Sequence, residues 1–271
     1  MAELAVVYET RLGSADRTDL EQEMLHVLRA MERSMTPPPA DDPVPNYLVP
    51  RQAAELDDKM PLDMGVLNGC MRSAMAVMEN GCAHRVVVAA PTAGSSGVIP
   101  ASVVGVGRTL GRTEGEILDA LWAAGLVGAF IANQATFGAE VAGCQAEIGA
   151  ASCMAAAGVV QLLGGTVEEG FHAAALAMQS LLGLICDPVA GLVEFPCIQR
   201  NVTASVMAAA AANMAMKGVR SPIPLDETIK AMLDVGRALP ASLRCTCEGG
   251  LCATPTGRQL ALQAVKCKAR K

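Results

Sequence analysis

The chain of 271 residues is long enough for a sizeable core, and 52% of it is hydrophobic although aromatics supply only 3%. A net charge of −6, with no Lys/Arg run interleaved with aromatics before the tail, lacks the electrostatic footprint of a nucleic-acid binder. The ten cysteines follow an opening, Met1-Ala-Glu-Leu-Ala, that leads into Glu9, Arg11 and Asp16 rather than a secretory apolar run, so the reading is cytoplasmic, with reduced thiols available for metal binding or catalysis.

Residues 13–34 have the pattern of an amphipathic helix with Ser14 or Thr18 as its cap. The Pro-rich stretch from Thr36 to Pro45 breaks regular structure and reads as a linker or a wrapping arm. Helical periodicity resumes over 63–79, with Met64, Leu67, Met71, Met75 and Met78 on one side. Residues 85–100 are a short apolar run meeting a Gly/Ser-rich turn, a pattern that fits either a strand or a buried helix end. Further helices are predicted at 114–132, with Thr113 as N-cap, and at 145–163, 166–185, 201–217 and 225–238. No alternating strand pattern of useful length occurs, so the expected fold is all-α, built of Ala- and Gly-rich helices packed closely. The uncharged run 148–167 is long enough to span a bilayer, but its glycines, Gln161 and acidic neighbours Glu147 and Glu168 predict a buried helix, and no membrane partner is expected.

Three cysteines sit where chain direction changes. Cys144 follows Gly143 at the expected start of the 145–163 helix, where a positive helix end favours a thiolate. Cys186 ends the 166–185 helix before Asp187-Pro188, and Cys197 follows Pro196 ahead of the next helix. Thiolates are soft ligands suited to iron–sulfur clusters, yet no Cys-x-x-Cys pair is present. Spacing alone therefore leaves metal binding and plain core packing both open, while Cys153, within Ala-Ser-Cys-Met-Ala-Ala, reads as a core residue.

Four segments add a resemblance: Ala-Pro-Thr-Ala-Gly-Ser-Ser-Gly-Val-Ile-Pro (90–100), Gly-Cys-Gln-Ala-Glu-Ile-Gly (143–149), Cys-Asp-Pro-Val-Ala-Gly-Leu-Val-Glu-Phe-Pro-Cys-Ile-Gln-Arg-Asn (186–201) and Gly-Gly-Leu-Cys-Ala-Thr-Pro-Thr-Gly (249–257). Together they resemble the α chain of iron–sulfur-dependent L-serine dehydratase, over about residues 63–258, and the 186–201 motif is the most specific. The resemblance implies a predominantly helical catalytic domain at 63–258, preceded by an N-terminal helix and Pro-rich arm (1–62) and followed by a basic tail (259–271). It also implies a [4Fe–4S] cluster on Cys144, Cys186 and Cys197, elimination of water from L-serine to give pyruvate and ammonia, and a β chain as partner or a homodimer. The iron left without a cysteine would act as Lewis acid on the substrate hydroxyl.

With that resemblance, Thr92, Gly94 and Ser95 become substrate contacts in a loop offering successive N–H groups to a carboxylate. Arg200 and Asn201 follow the third cysteine and are assigned to the same cavity, Arg200 for a carboxylate and Asn201 for an amino or hydroxyl group. Gln145 and Glu147 are read as groups around the cluster. Of the histidines, only His84 stands near the 90–100 loop, whereas His26 and His172 lie far from the motifs. The general base is not identified by any motif.

Several segments depart from the family pattern. A Ser-Gly-Leu-Thr-Gly-Gly-like loop usual upstream of the first core helix is replaced by Asp42-Pro-Val-Pro-Asn-Tyr-Leu-Val-Pro50, and Arg244-Cys-Thr-Cys-Glu-Gly-Gly250 replaces an Arg-Glu-Thr-type stretch. These departures bear on the substrate more than on the cofactor. Related expectations are therefore a lyase for another small amino or hydroxy acid, such as a cysteine desulfidase, or a non-catalytic cluster-binding homologue. In some relatives a C-terminal cysteine covers the open iron, and Cys245, Cys247, Cys252 and Cys267 are the residues available for that role.

Overall fold

The computed structural model describes all residues except 14, 15, 40, 43, 45, 57–59 and 269–271, and no strand forms among those described. The N-terminal region makes two helices rather than the single expected one: α1 (Ala2–Gly13) and α2 (Arg17–Ser34). Asp16 divides them, because its extended backbone and carboxylate, accepting from the Thr18 N–H at 3.0 Å, cap α2. The expected cap Thr18 is instead inside α2, giving its N–H to the Asp16 carboxylate, and Ser14, the alternative, lies outside the described residues. No local pattern marks α1, which is set by a tertiary contact: Ala2, Ala5 and Val6 pack on Trp122 and Leu126.

Thr36 to Gln52 is irregular where described and lies along the helical body. Two carboxylates hold it there. Glu194 accepts from the N–H groups of Tyr47, Leu48 and Val49 at 2.8, 2.7 and 3.3 Å, and Glu79 accepts from those of Gln52 and Ala53 at 2.6 and 3.0 Å. Both acids are at most 4% exposed, which is tolerable only because peptide N–H groups take the place of water.

The helix α3 (Val66–Cys82) leads to the apolar run, which becomes neither a strand nor a helix end. It stays irregular to the cis Ala90–Pro91 peptide, turns through a short 3₁₀ segment at Ala93–Ser95, and enters a π-helical turn at Pro100–Gly105 that continues into α4 (Val106–Thr109). Next comes α5 (Glu114–Gln134), opened by the expected Thr113 cap, whose hydroxyl and the Glu116 carboxylate satisfy each other's backbone N–H groups. Then follow α6 (Ala139–Ala142), α7 (Ile148–Leu162), α8 (Val167–Gln179), α9 (Cys197–Met216), α10 (Leu225–Ala238) and α11 (Pro255–Lys268).

The middle of the fold is α7, contacted by α5, α8 and α9, with α3 laid against α9. Every α7 residue except Gln161 is buried, so the uncharged stretch is a core helix as expected. The longer and apolar α5 has the length and composition to cross a membrane, but more than half of its apolar window is buried inside the fold. Small residues set the α5–α7 spacing: a Cβ on Gly158 would stand 2.9 Å from the Ala120 carbonyl and 2.9 Å from Val103. The predominantly helical fold expected from the sequence is the one found.

Candidate functional site

Each motif cysteine is presented by a different backbone device. Gly143 has φ +72°, and a side chain there would stand 2.7 Å from Leu239 and 2.8 Å from the Leu184 carbonyl, so glycine is required both for conformation and for space. The chain then makes a 3₁₀ turn, Cys144–Ala146, before α7 begins, four residues after Cys144.

Cys186 does not end a helix. The expected 166–185 helix stops at Gln179, and the left-handed Gly183 (φ +85°) turns the chain away before the cysteine. Cys186 instead sits in an isolated parallel bridge to Arg244. Its N–H donates to Leu243 O at 2.9 Å, and its carbonyl accepts from the Cys245 N–H at 2.8 Å. Cys197 does not precede the next helix but opens it, with Pro196 as the cap position, so Arg200 and Asn201 belong to the first turns of α9.

These devices bring the thiols together. The Cys144 and Cys186 sulfurs and a Glu147 carboxylate oxygen all lie within 4.8 Å of one another. Cys197 is outside that trio but near enough to feel the charge on Cys144. The three sulfurs belong to residues only 2%, 4% and 7% exposed. The hydrogen bond from Cys186 and the Arg200 guanidinium hold the Cys144 thiol below its ordinary range despite burial. Cys186, which supplies that proton, is pushed far up, and burial pushes Cys197 up as well. Three buried thiols converging from separate segments form a soft donor set of the kind iron–sulfur clusters use, and cluster binding would replace the shared protons.

The polar neighbours fall into two groups. Asn201 is fully buried and fully engaged: its Oδ1 accepts from the Gly97 N–H at 2.9 Å, and its Nδ2 donates to the Gly94 and Cys197 carbonyls at 2.8 and 2.9 Å. It fastens the 92–97 loop to the helix that presents Cys197. Gln145 plays a matching part, donating to Ala142 O and Met232 O at 3.0 Å each and accepting from the Gly183 N–H at 2.8 Å. Arg200 donates to Ile185 O at 3.0 Å and Asp187 Oδ1 at 2.8 Å, while its charge also reaches Cys144.

Thr92 and Ser95 bond each other, Oγ1 to Oγ at 3.0 Å, in a small capping box. The turn uses up the N–H groups of Ser95, Ser96 and Gly97 internally or on Asn201, and no acceptor for those of Ala93 and Gly94 is found among the described residues. Gly94 is pressed on Glu147: a Cβ there would sit 3.0 and 3.2 Å from the two carboxylate oxygens. Burial pushes the Glu147 carboxyl up, the nearby Thr92 hydroxyl opposes this, and Glu140 adds to the upward effect.

The histidines lie elsewhere. His84, with φ +58°, lines a neighbouring cavity of about 380 Å³ with Cys82, Ala93 and Ser96. His26 is exposed on α2, and His172 Nδ1 accepts from the Ser221 N–H at 3.2 Å. Sequence reasoning did not single out Asp187 or the 245–252 loop as structural partners. Asp187 Oδ2 accepts from the Leu251 N–H at 2.7 Å, and Cys252 bonds the Asp187 and Pro188 carbonyls at 3.2 and 2.8 Å. Their only signal was the adjacency of Asp187 to Cys186 and the Gly-Gly-Leu-Cys motif at 249–252. Cys245 meets the Cys186 thiol, whereas the side chain of Cys267 lies outside the described residues.

The family model described as serine dehydratase alpha chain matches residues 1–252. The chain belongs to this family. It is 38% identical over 270 residues to a probable L-serine dehydratase, alpha chain, of Bacillus subtilis (strain 168), covering 96% of this chain and 88% of that protein. It is 45% identical over 193 residues to the corresponding probable alpha chain of Latilactobacillus sakei, covering 71% of this chain and 92% of the relative. L-serine dehydratase 1 of Escherichia coli (strain K12) is 38% identical over 258 residues, but there the match takes in 90% of this chain and only 56% of the relative. The serine dehydratase family resemblance carried by the 186–201 motif is therefore a family membership that extends through α1 and the Pro-rich arm.

Proposed function

We propose that this chain is the α chain of an L-serine dehydratase, a lyase that converts L-serine to pyruvate and ammonia, and that Cys144, Cys186 and Cys197 hold a [4Fe–4S] cluster. The observation that carries the reading is the convergence of three buried cysteines at one place in a chain whose relatives are named L-serine dehydratases. When bound, a cluster with one iron free of cysteine supplies a Lewis acid for the substrate hydroxyl.

This chain's own residues prepare the rest. Arg200 offsets thiolate charge at Cys144 and fixes the backbone around Cys186. Asn201 holds the 92–97 loop beside the thiols, where the Ala93 and Gly94 N–H groups and the Thr92 and Ser95 hydroxyls are assigned to the substrate carboxylate. The buried surroundings exclude water and strengthen each of these interactions.

A separate β chain is proposed as partner. What supports this is that two of the relatives are themselves named alpha chain.

The test is anaerobic reconstitution followed by iron and sulfide analysis and a pyruvate assay with L-serine, alone and with the β chain. Cys186→Ser should lose the iron, while Cys153→Ser, altered in the core of α7, should keep it. A protein that takes up no iron after reconstitution refutes the cluster assignment. Iron-loaded protein that releases no pyruvate from L-serine in the presence of its β chain refutes the substrate.

A further inference from the structure

Among the described residues, no cation pairs with the Glu147 carboxylate. It stands at the threshold of α7, yet its side chain makes no cap hydrogen bond to that helix, so helix capping does not account for it. An oxygen lies within 4.8 Å of both the Cys144 and Cys186 sulfurs, the nearby Thr92 hydroxyl acts to lower its carboxyl, and the charge that acts on it is another acid, Glu140. Among the described residues it makes no ion pair. Glu147 is half-buried, whereas the fully buried acids are taken: Asp187 by Arg200 and the Leu251 N–H, Glu194 by three N–H groups, Glu79 by two. Glu147 alone among these acids stands beside the thiol cluster with capacity left for a ligand.

The placement suits one feature of an amino-acid substrate. An α-amino acid carries its ammonium and carboxylate on the same carbon, so their two anchors must be neighbours. Here the Glu147 carboxylate is in van der Waals reach of Gly94, whose N–H belongs to the turn assigned to the substrate carboxylate. A Cβ on Gly94 would stand 3.0 and 3.2 Å from the two Glu147 oxygens, so it is the glycine that lets the turn come this close to the carboxylate.

We propose that Glu147 pairs with the α-ammonium of the substrate and so selects a 2-amino acid over the matching 2-hydroxy acid. The inference rests on the serine dehydratase reading above and adds the residue that decides its substrate class. Glu147 contributes charge and a hydrogen-bond acceptor at a fixed point; the 2-hydroxy analogue presents no cation there and leaves the carboxylate unpaired.

The test uses the reconstituted holoenzyme with its β chain and compares L-serine with L-glycerate, measuring dissociation constants by calorimetry together with iron content. Wild-type protein is expected to prefer L-serine. Glu147→Gln should weaken L-serine by about 10- to 100-fold, the range expected for a charge-assisted hydrogen bond, while L-glycerate changes little. Iron content should not change, the loss in kcat/KM should appear chiefly in KM, and Glu147→Asp should recover part of the preference. Should Glu147→Gln fail to fold, Gly94→Ala approaches the same pairing from the other side and should cost L-serine about tenfold more than L-glycerate.

Equal losses for both ligands, or an unchanged L-serine affinity, overturn the assignment. Loss of iron in Glu147→Gln overturns it in favour of a metal ligand. Wild-type holoenzyme that binds neither compound removes the serine dehydratase reading itself, and this inference with it.

Discussion

Arg200 spans Cys186: one guanidinium nitrogen donates to Ile185 O at 3.0 Å and the other to Asp187 Oδ1 at 2.8 Å, the residues on either side of the cysteine. The other Asp187 oxygen receives the Leu251 N–H at 2.7 Å, so α9, the cysteine loop and the C-terminal loop are joined at one side chain. The ion pair is sheltered, with side-chain exposures of 16% and 1%.

Removing one partner leaves the other charge buried. Arg200→Met should therefore cost about 3–5 kcal/mol of stability, and it should also lower iron retention because Cys186 loses its frame. Asp187→Asn should cost less, since an amide oxygen still accepts from Leu251. Chemical denaturation of both single variants and the double variant gives the coupling. A coupling near zero would show that the pair does not organise the loop.

Asn201→Ala strands the Gly97 N–H and the Gly94 carbonyl in a buried position. Each unsatisfied group costs about 1–3 kcal/mol, so unfolding should move by at least the lower figure. The untethered 92–97 loop should also raise KM for L-serine. Thr203→Ala, which loses only hydroxyl bonds to carbonyls of its own helix, is the control and should leave both quantities nearly unchanged. A matching KM in the two variants would separate Asn201 from substrate binding.

Much of this arrangement was legible because it is local. The Thr113 cap, the 225–238 helix and the buried character of 148–162 follow from residues within one or two turns. The cysteine trio was visible as thiols at chain reversals, although Cys186 proved to be set by a left-handed glycine and a backbone bridge instead of a helix end. What stayed hidden depends on partners far along the chain. Asn201 looked available for a ligand until its amide was found spent on backbone 104 and 107 residues away. Glu79 lies in no motif, and Glu194, although inside the 186–201 segment, carries no sign of its role in securing the Pro-rich arm, because an acid that binds peptide N–H groups looks the same in sequence as one facing water.

The cysteines should separate sharply by reactivity. The thiolate is the nucleophile, and burial pushes Cys70 up to about 11 and Cys153 higher still, while Cys245 and Cys247 are exposed. Brief iodoacetamide treatment of iron-free protein near neutral pH, read by mass spectrometry, should label Cys245 and Cys247 and spare Cys70 and Cys153. Raising the pH toward 11 should bring Cys70 into play before Cys153. Of the motif cysteines only Cys144 is held below its ordinary range, so iron loading should protect Cys144, and Cys144 labelling that iron leaves unchanged would count against its role as a ligand.

Two glycines on the packed helices should respond in opposite directions to alanine. Gly125 is exposed in α5, and an added methyl there would meet nothing within 4 Å, so Gly125→Ala should stabilise by about 0.5–1 kcal/mol through helix propensity. Gly158, within α7, would drive the same methyl to 2.9 Å from both the Ala120 carbonyl and Val103. Neither neighbour can withdraw without moving α5 or the π-helical turn, and such overpacking costs about 1–3 kcal/mol. Urea unfolding of the two variants measures the difference directly. If Gly158→Ala is neutral, the α5–α7 separation is not set by backbone contact, and the small-residue packing assigned to the core is wrong.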